Sequence, residues 1–394
     1  MTTLDPSVFD PTRLSLSDLR HRRSLKWSAY GPELLPAWVA EMDFEMAEPI
    51  RSMLRDVVDR SDLGYPPRAA ATSVRESFAR RMADRFSFSV DPDLVLVLSE
   101  VVQGIALAVD TLTEPGEGVL VQTPVYPPFL EVVRQAGRRL VETPLAEGPE
   151  GFGVDLEEFE RVVRAERPAM LLLCHPHNPT GRSFTAAELA AVGRIAAEAG
   201  MVVVSDEIHA DLVFDGRRHV PMAVAAPEVA PRCVTLSSAS KAFNLAGLRC
   251  AVGAAGSAEL LRRLEARPAH LRGGLSSPGM WATVVAWEEC GDWLEGVVAY
   301  LQEGRDQVDR ALAAMPGVSW HAPEATYLGW LDFSESGLGP DPAPWVEEHA
   351  GVVCSRGLDF GSPGAHHARL NFATSHDVLE AILERLASAL RSKA

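Results

Sequence analysis

The chain has 394 residues, of which 47% are hydrophobic and 23% charged, so it is long enough for two globular domains or one large domain with a satellite. Its 54 acidic residues outnumber 37 basic ones and give a net charge of −17, which argues against a nucleic-acid or anionic-membrane partner. We see neither a signal peptide at the N-terminus nor an apolar run long enough to span a membrane. These features predict a soluble protein that binds a small molecule.

The five cysteines are sparse and include no close pairs. Cys174, Cys233 and Cys250 lie in or beside apolar runs, where a reduced and buried thiol is the ordinary state. We therefore expect a reducing compartment, the cytoplasm.

Between about residues 90 and 255, short apolar runs alternate with helical patterns. The predicted strands are Leu94–Leu98, Gly118–Val121, Met170–Cys174, Met201–Val204 and Val234–Leu236. The predicted helices between them are Ile105–Leu112, Phe129–Ala136 and Ala186–Ala199. Continuous apolar strands that alternate with helices predict an α/β fold with a mostly parallel sheet covered on both faces.

The C-terminal third has a different pattern. Helical spacing runs from about 279 to 313, short strand-like runs follow, and a helix over Val378–Leu390 ends the pattern. We predict a large α/β domain over 46–288 and a small α+β domain built from 1–45 and 289–394.

Polar segments follow four of the predicted strands. They are QTPVYPP (122–128), HPHNPTG (175–181), SDEIHAD (205–211) and SSASK (237–241). Ligands of open α/β sheets bind beyond the carboxyl ends of the strands. The four segments therefore bring one side chain each to a common rim: Tyr126, Asn178, Asp206 and Lys241.

These side chains fit an anionic, planar, aromatic cofactor. Serine hydroxyls at Ser238 and Ser240, together with Arg249, can hold a phosphate, and a helix beginning near Lys241 adds its amides. A lone lysine forms a Schiff base when burial and a nearby cation lower its pKa. A buried Asp206 needs a cationic partner, which a protonated pyridine nitrogen supplies. Asn178 can donate to a phenolate oxygen, and Tyr126 can stack on the ring.

In their order and spacing, the NPTG, SDEI and SxSK-to-Arg segments resemble the fold-type I pyridoxal phosphate (PLP) enzymes of the class I/II aminotransferase superfamily. Further segments resemble the cystathionine β-lyase subgroup of the PatB/MalY kind. These are LKWSAYGPELLPAWVAEMDFEMAEPI (25–50), LGYPP (63–67), TPVYPPF (123–129), SDEIHADLVF (205–214), SKAFNLAGLR (240–249) and RLNFAT (369–374).

The resemblance implies a large domain with a mostly parallel seven-stranded sheet, and PLP as the cofactor. It also implies a carbon–sulfur lyase that eliminates a thiol from cystathionine or another cysteine S-conjugate, leaving pyruvate and ammonia. Lys241 would carry the Schiff base and act as the base at the substrate α-carbon. Asp206 would pair with the pyridine nitrogen, Asn178 would bind the ring oxygen, and Tyr126 would stack on the ring.

The remaining roles are carried over in the same way. Ser238, Ser240 and Arg249 would hold the phosphate with the backbone amides around Val101 and Val102, and His209 would lie near the ring oxygen. Arg369 would bind the substrate α-carboxylate, and Asn178, Trp38 and Tyr65 would also face the substrate. Tyr65 would reach the phosphate of a neighbouring subunit, which implies a homodimer with shared active sites. The Trp281–Trp293 helix and the segment around Trp38 are further candidate interface.

Three positions depart from the subgroup pattern. Glu41 stands where aspartate is usual, Glu100 where glycine is usual, and Arg356 where proline is usual. A carboxylate at Glu100, near a phosphate loop, is unfavourable unless it turns outward or meets a cation. These departures leave open a specialised substrate and a different reaction type.

Other interpretations stay open at this point. Aminotransfer uses every residue named above, and a non-catalytic binding module could retain the fold. A metal site at His175, His177, Asp206, Glu207 and His209 is disfavoured, because a cofactor turn accounts better for HPHNPTG. A dinucleotide loop at AVGAAG (251–256) lacks the first glycine of its fingerprint.

Overall fold

The computed structural model describes residues 7–149, 151–268 and 272–393. The strands are β1 Leu35–Pro36, β2 Val95–Leu98, β3 Gly118–Thr123, β4 Arg139–Pro144, β5 Ala146–Gly148, β6 Gly151–Gly153, β7 Met170–Cys174, β8 Val202–Asp206, β9 Cys233–Ser237, β10 Ala251–Ala255, β11 Ser319–Trp320, β12 Leu328–Asp332, β13 Val352–Val353, β14 Ser355–Arg356 and β15 His367–Asn371.

The helices are α1 Leu16–Arg20, α2 Leu25–Ser28, α3 Glu48–Asp59, α4 Arg68–Phe86, α5 Val101–Leu112, α6 Pro127–Gln135, α7 Leu156–Glu166, α8 Ala186–Glu198, α9 Met222–Ala225, α10 Ala239–Ala242, α11 Ala258–Leu264, α12 Ser277–Glu289, α13 Gly291–Leu312, α14 Pro342–Ala350 and α15 His376–Lys393.

A seven-stranded sheet forms the centre of the protein, in the order β2-β10-β9-β8-β7-β3-β4. Its strands pair in parallel except β10, which runs antiparallel to both β2 and β9. Every residue of β7, β8 and β9 is buried, as expected for strands covered on both faces. The predicted α/β fold with a mostly parallel sheet is thus confirmed.

Helices cover both faces of this sheet. Helices α5, α6 and α11 contribute to one apolar cluster with strand residues such as Val121 and Leu172. Helices α7 and α8 contribute to a second cluster on alternate strand residues, such as Leu171 and Val203. Helix α8 begins at a capping box in which Thr185 and Glu188 satisfy each other's backbone amides.

A smaller four-stranded antiparallel sheet has the order β11-β12-β15-β14. The early chain lies against this part of the protein, because β1 pairs in parallel with β13 and the Asp43 amide donates to the Ala373 carbonyl over 2.9 Å. The division into 46–288 and 1–45 plus 289–394 remains a prediction.

Two strands of the large sheet were not predicted, because neither is a strongly apolar run. β4 carries polar residues, and β10 is made of alanine, valine and glycine. Helix α6 begins at Pro127, before the predicted Phe129, because proline suits a first helical turn. No helix within the described ranges combines the length and apolar character needed to cross a bilayer.

Candidate active site

A cavity of about 380 Å³ opens where β7, β8 and β9 end and α5 begins. It brings together most of the side chains that the sequence analysis singled out: Val101, Val102, Tyr126, Asn178, Asp206, His209, Ser238, Ser240, Lys241 and Arg249. Because parallel strands end at the same edge of a sheet, residues far apart in sequence converge there.

Lys241 lies in the short helix α10, directly after β9. Its Nζ donates a hydrogen bond of 2.9 Å to the carbonyl of Ala40. Burial, followed by the positive charge of Arg369, lowers the pKa of Lys241 to about 8, although Glu41 and Asp206 oppose this shift. A neutral amine is therefore accessible near neutral pH, as imine chemistry requires.

Asp206 is the last residue of β8 and is 5% exposed. Its Oδ1 accepts a bond of 3.1 Å from the amide of Ile208. Burial raises the pKa of this carboxyl to about 7, while the Ile208 amide and the Lys241 charge act in the opposite direction. A buried carboxylate with this modest support fits a cationic group, such as a protonated ring nitrogen.

Arg369 lies on β15 and is 4% exposed. Its Nη1 donates to Asn178 Oδ1 over 2.9 Å, and its Nη2 donates to the Trp38 carbonyl over 2.7 Å and to Ser355 Oγ over 3.1 Å. Its buried Nε has no hydrogen-bond partner in the described part of the chain. Burial lowers the pKa of Arg369 to about 10, yet the guanidinium stays charged at neutral pH.

The NPTG segment forms a tight turn over the cavity. The carbonyl of Asn178 accepts from the Tyr126 amide over 3.1 Å, which joins two of the predicted cofactor ligands. Gly181 has φ +70°, and a Cβ added there would lie 2.2 Å from Cβ of Pro323. The glycine is therefore required both by its backbone conformation and by the space it leaves.

The predicted phosphate end lies between α5 and α10. Ser238 Oγ donates to the Cys250 carbonyl over 2.6 Å and accepts from the Ser240 amide over 3.0 Å. Val101 and Val102 are the first two residues of the twelve-residue helix α5, so their backbone amides have no partner within the helix and are available to a phosphate. The donors fit a phosphate, with one complication: the Arg249 guanidinium forms an ion pair with Glu100.

His209 lines the cavity, and the ring of Tyr327 lies beside it. Their rings meet edge-on with centroids 6.0 Å apart, and burial lowers the pKa of His209 to about 3, so the imidazole is neutral. Tyr327 Oη donates to the same Ala40 carbonyl as Lys241, over 3.0 Å. Neither Tyr327 nor Ala40 was predicted as a site residue; the only signal in the sequence was a tyrosine directly before the apolar run that forms β12.

Three predicted residues lie outside the cavity lining: Arg369, which contacts the lining through Asn178, and Tyr65 and Trp38. Tyr65 is fully exposed, in the loop between α3 and α4, so its predicted contact with a neighbouring subunit stays untested. Trp38 contacts Arg369 through its carbonyl, while its ring packs edge-on against Tyr30 at 5.5 Å. Trp287 and Trp293 are buried in the core of the chain.

The histidines considered as metal ligands make other contacts. His219 Nε2 lies 2.8 Å from Glu207 Oε2, His175 stacks on His219, and His177 Nδ1 bonds Thr180 Oγ1 over 2.9 Å. Within the described ranges, no group of three or more histidine, cysteine or acidic side chains has a geometry that could hold a metal ion.

Comparison with known proteins places this site in a family. The family model "Aminotransferase class I and II" matches residues 40–386. The chain belongs to the aminotransferase class I and II family. This confirms the family resemblance predicted from the strand-end motifs.

Individual relatives are similar over nearly their whole length. The cystathionine β-lyase of Corynebacterium glutamicum is 34% identical over 375 residues, covering 95% of this chain and 99% of that protein. Cystathionine β-lyase PatB of Bacillus subtilis is 33% identical, covering 93% and 97%. The PLP-bound C–S lyase of Staphylococcus hominis superimposes with a TM-score of 0.90 at 28% identity, covering 96% of this chain and 98% of that one.

Proposed function

We propose that this protein is a PLP-dependent carbon–sulfur β-lyase that cleaves cysteine S-conjugates to a thiol, pyruvate and ammonia. The observation that carries the proposal is that Lys241 and Asp206 line one cavity, and that Arg369 is hydrogen-bonded to Asn178 of the same lining. Two relatives support the proposal. Both are named cystathionine β-lyase, and this chain matches each of them over more than nine-tenths of its length.

The donor set fits PLP at both of its ends. Asp206 would hold the pyridine nitrogen and Asn178 the ring oxygen, while Ser238, Ser240 and Arg249 would hold the phosphate. Bound PLP supplies an electron sink for negative charge that develops at the substrate α-carbon.

The chain itself supplies orientation and proton transfer. Arg369 would bind the α-carboxylate through its unpartnered Nε and the adjacent Nη groups, which fixes the amino acid relative to Lys241. Neutral Lys241, with its pKa lowered to about 8, takes the proton from the α-carbon. The electron pair left at the α-carbon then forms a double bond to the β-carbon as the bond from the β-carbon to sulfur breaks, and sulfur leaves with the bonding pair and takes up a proton. Water hydrolyses the resulting 2-aminoacrylate to pyruvate and ammonia.

Product analysis tests this proposal. The purified holoenzyme is incubated with cystathionine and with S-alkyl-L-cysteines, without any 2-oxo acid. Thiol and pyruvate in equal amounts are expected. Turnover that requires an added 2-oxo acid and yields a new amino acid would support the alternative function, aminotransfer, which the family as a whole includes.

We also propose that the enzyme is a homodimer with shared active sites, located in the cytoplasm. Tyr65 supports the shared site, because its ring is fully exposed on a loop stiffened by Pro66 and Pro67. The five cysteines are buried and free, which suits a reducing compartment.

A further inference from the structure

In the part of the chain that the structure describes, three carboxylates line the cavity, those of Glu41, Glu100 and Asp206, and only Glu41 has neither an ion pair nor a predicted partner. Asp206 faces the predicted ring nitrogen, and Glu100 is paired with Arg249. Glu41 also lines the cavity, yet its carboxylate makes no hydrogen bond or ion pair within residues 7–149, 151–268 and 272–393. A half-buried carboxylate that lacks an ion pair is free to pair with a cationic ligand in the cavity.

The backbone of Glu41 is fixed on both sides. Its amide donates to the Val39 carbonyl over 2.9 Å, and its carbonyl accepts from Asn371 Nδ2 over 2.7 Å. The nearby ammonium of Lys26 is already paired with Asp43 at 2.6 Å. The chain therefore holds the Glu41 backbone in place, while among the described residues its carboxylate forms no ion pair and interacts with the Lys241 charge only through space.

The carboxylate also lies close to the reacting groups. It opposes the lowering of the Lys241 pKa and contributes to the raised pKa of Tyr327. Lys241 and Arg369 have tasks of their own in the proposed reaction, at the α-carbon and the α-carboxylate. What remains for Glu41 is the arm of the substrate beyond the sulfur atom.

We propose that Glu41 is a specificity residue that selects cysteine S-conjugates whose departing group carries a cation or an N–H donor beyond sulfur. This inference rests on the proposed function, and it narrows the substrate class. Charge-assisted hydrogen bonds are stronger than neutral ones, so the carboxylate favours an ammonium or imidazolium arm over an alkyl arm and disfavours an acidic arm. Glutamate reaches one carbon–carbon bond further than the aspartate that the resemblance places at this position.

The experiment compares three conjugates: S-(2-aminoethyl)-L-cysteine, its neutral analogue S-propyl-L-cysteine, and S-carboxymethyl-L-cysteine. For the holoenzyme and its Glu41→Gln and Glu41→Asp variants, binding is measured by rapid mixing from the absorbance of the bound cofactor, and kcat/KM from thiol release. Glu131→Gln is the matched control, because this exposed carboxylate acts on Tyr126 only at a distance and does not line the cavity.

In Glu41→Gln, the preference of binding for the aminoethyl over the propyl conjugate should fall at least about tenfold, equivalent to about 1.4 kcal/mol. Glu41→Asp and Glu131→Gln should keep the preference. Each variant's aminoethyl-to-propyl preference is divided by that of the wild type, which cancels the intrinsic difference between the leaving thiols. It also separates selectivity from an effect on Lys241, which would change all three conjugates alike.

An aminoethyl-to-propyl ratio that is the same in Glu41→Gln and wild type would overturn the inference, even if every conjugate is cleaved. The binding measurement requires no turnover. A charge preference lost in Glu41→Gln but unaccompanied by thiol release would therefore leave the inference standing and refute the proposed lyase activity.

Discussion

Arg369 and Asn178 are 191 residues apart in the sequence, and Nη1 of the arginine donates a hydrogen bond of 2.9 Å to Oδ1 of the asparagine. The bond joins the predicted anchor of the substrate carboxylate to the predicted ligand of the cofactor ring oxygen. The Trp38 carbonyl and Ser355 hold the guanidinium from its other edge. One hydrogen-bond network thus joins the predicted substrate anchor to the predicted cofactor ligand.

Arg369→Lys keeps the positive charge but loses the planar fork, so KM for cysteine conjugates should rise at least about tenfold. Steady-state kinetics with several conjugates measures the effect. Arg356→Lys is the matched control, because Arg356 is exposed on the neighbouring strand and pairs with Asp341. An unchanged KM in Arg369→Lys would exclude the guanidinium as the carboxylate anchor.

The ion pair between Glu100 and Arg249 competes with any phosphate that uses the same guanidinium. Both side chains are largely exposed, and such a pair contributes up to about 1 kcal/mol. Glu100→Gln should therefore tighten PLP binding by about twofold to fivefold, measured by absorbance titration of the cofactor-free protein.

The Glu100 side chain makes no capping bond to α5, so this substitution should leave the helix intact. Glu131→Gln again serves as the control for a lost negative charge. Weaker binding of PLP by Glu100→Gln would mean that the carboxylate supports the phosphate site instead of competing with it.

Asp206 makes the stability of the cofactor-free protein depend on pH. Its pKa is about 7 in the folded protein against 3.8 in the unfolded chain, so the folded state binds the extra proton between these values. Stability contributed by the protonated carboxyl is present below about pH 4 and lost as pH rises through 7.

At pH 8, cofactor-free Asp206→Asn should accordingly unfold at a higher temperature than wild type. A gain of a few kcal/mol in the free energy of unfolding would raise Tm by several degrees. The difference should shrink towards pH 4, as measured by thermal unfolding monitored by circular dichroism. A constant difference across this pH range would show that Asp206 titrates normally.

The shared-site prediction is tested by mixing two variants. Tyr65→Ala and Lys241→Ala should each be inactive, and subunit exchange should rebuild one intact site per heterodimer and restore part of the activity. Mass spectrometry confirms that heterodimers have formed. Heterodimers without recovered activity, or a fully active monomer by light scattering, would refute the shared site.

Much of the cavity was predictable because its side chains follow apolar strands. Met170–Cys174 and Cys233–Ser237 are apolar enough to be recognised as buried strands, and Asn178 and Lys241 come soon after them. Strand β10 was missed because alanine and glycine give a weak apolar signal.

Backbone partners could not be predicted at all. The carbonyls of Trp38 and Ala40 bind Arg369 and Lys241, yet a carbonyl is present at every residue and leaves no mark in a sequence. The pairing of Glu100 with Arg249 likewise joins positions 149 residues apart, one at the N-cap of α5 and one just before β10. Only the folded chain shows that this unusual carboxylate meets a cation.

The fate of the substrate nitrogen tests the central claim most directly. The holoenzyme is given a ¹⁵N-labelled S-alkyl-L-cysteine together with an unlabelled 2-oxo acid, and the products are followed by mass spectrometry. Elimination predicts that all released label appears as ammonia, in equal amount with the thiol, and that Lys241→Ala releases none. Label transferred to a new amino acid, with no free thiol, would contradict the account.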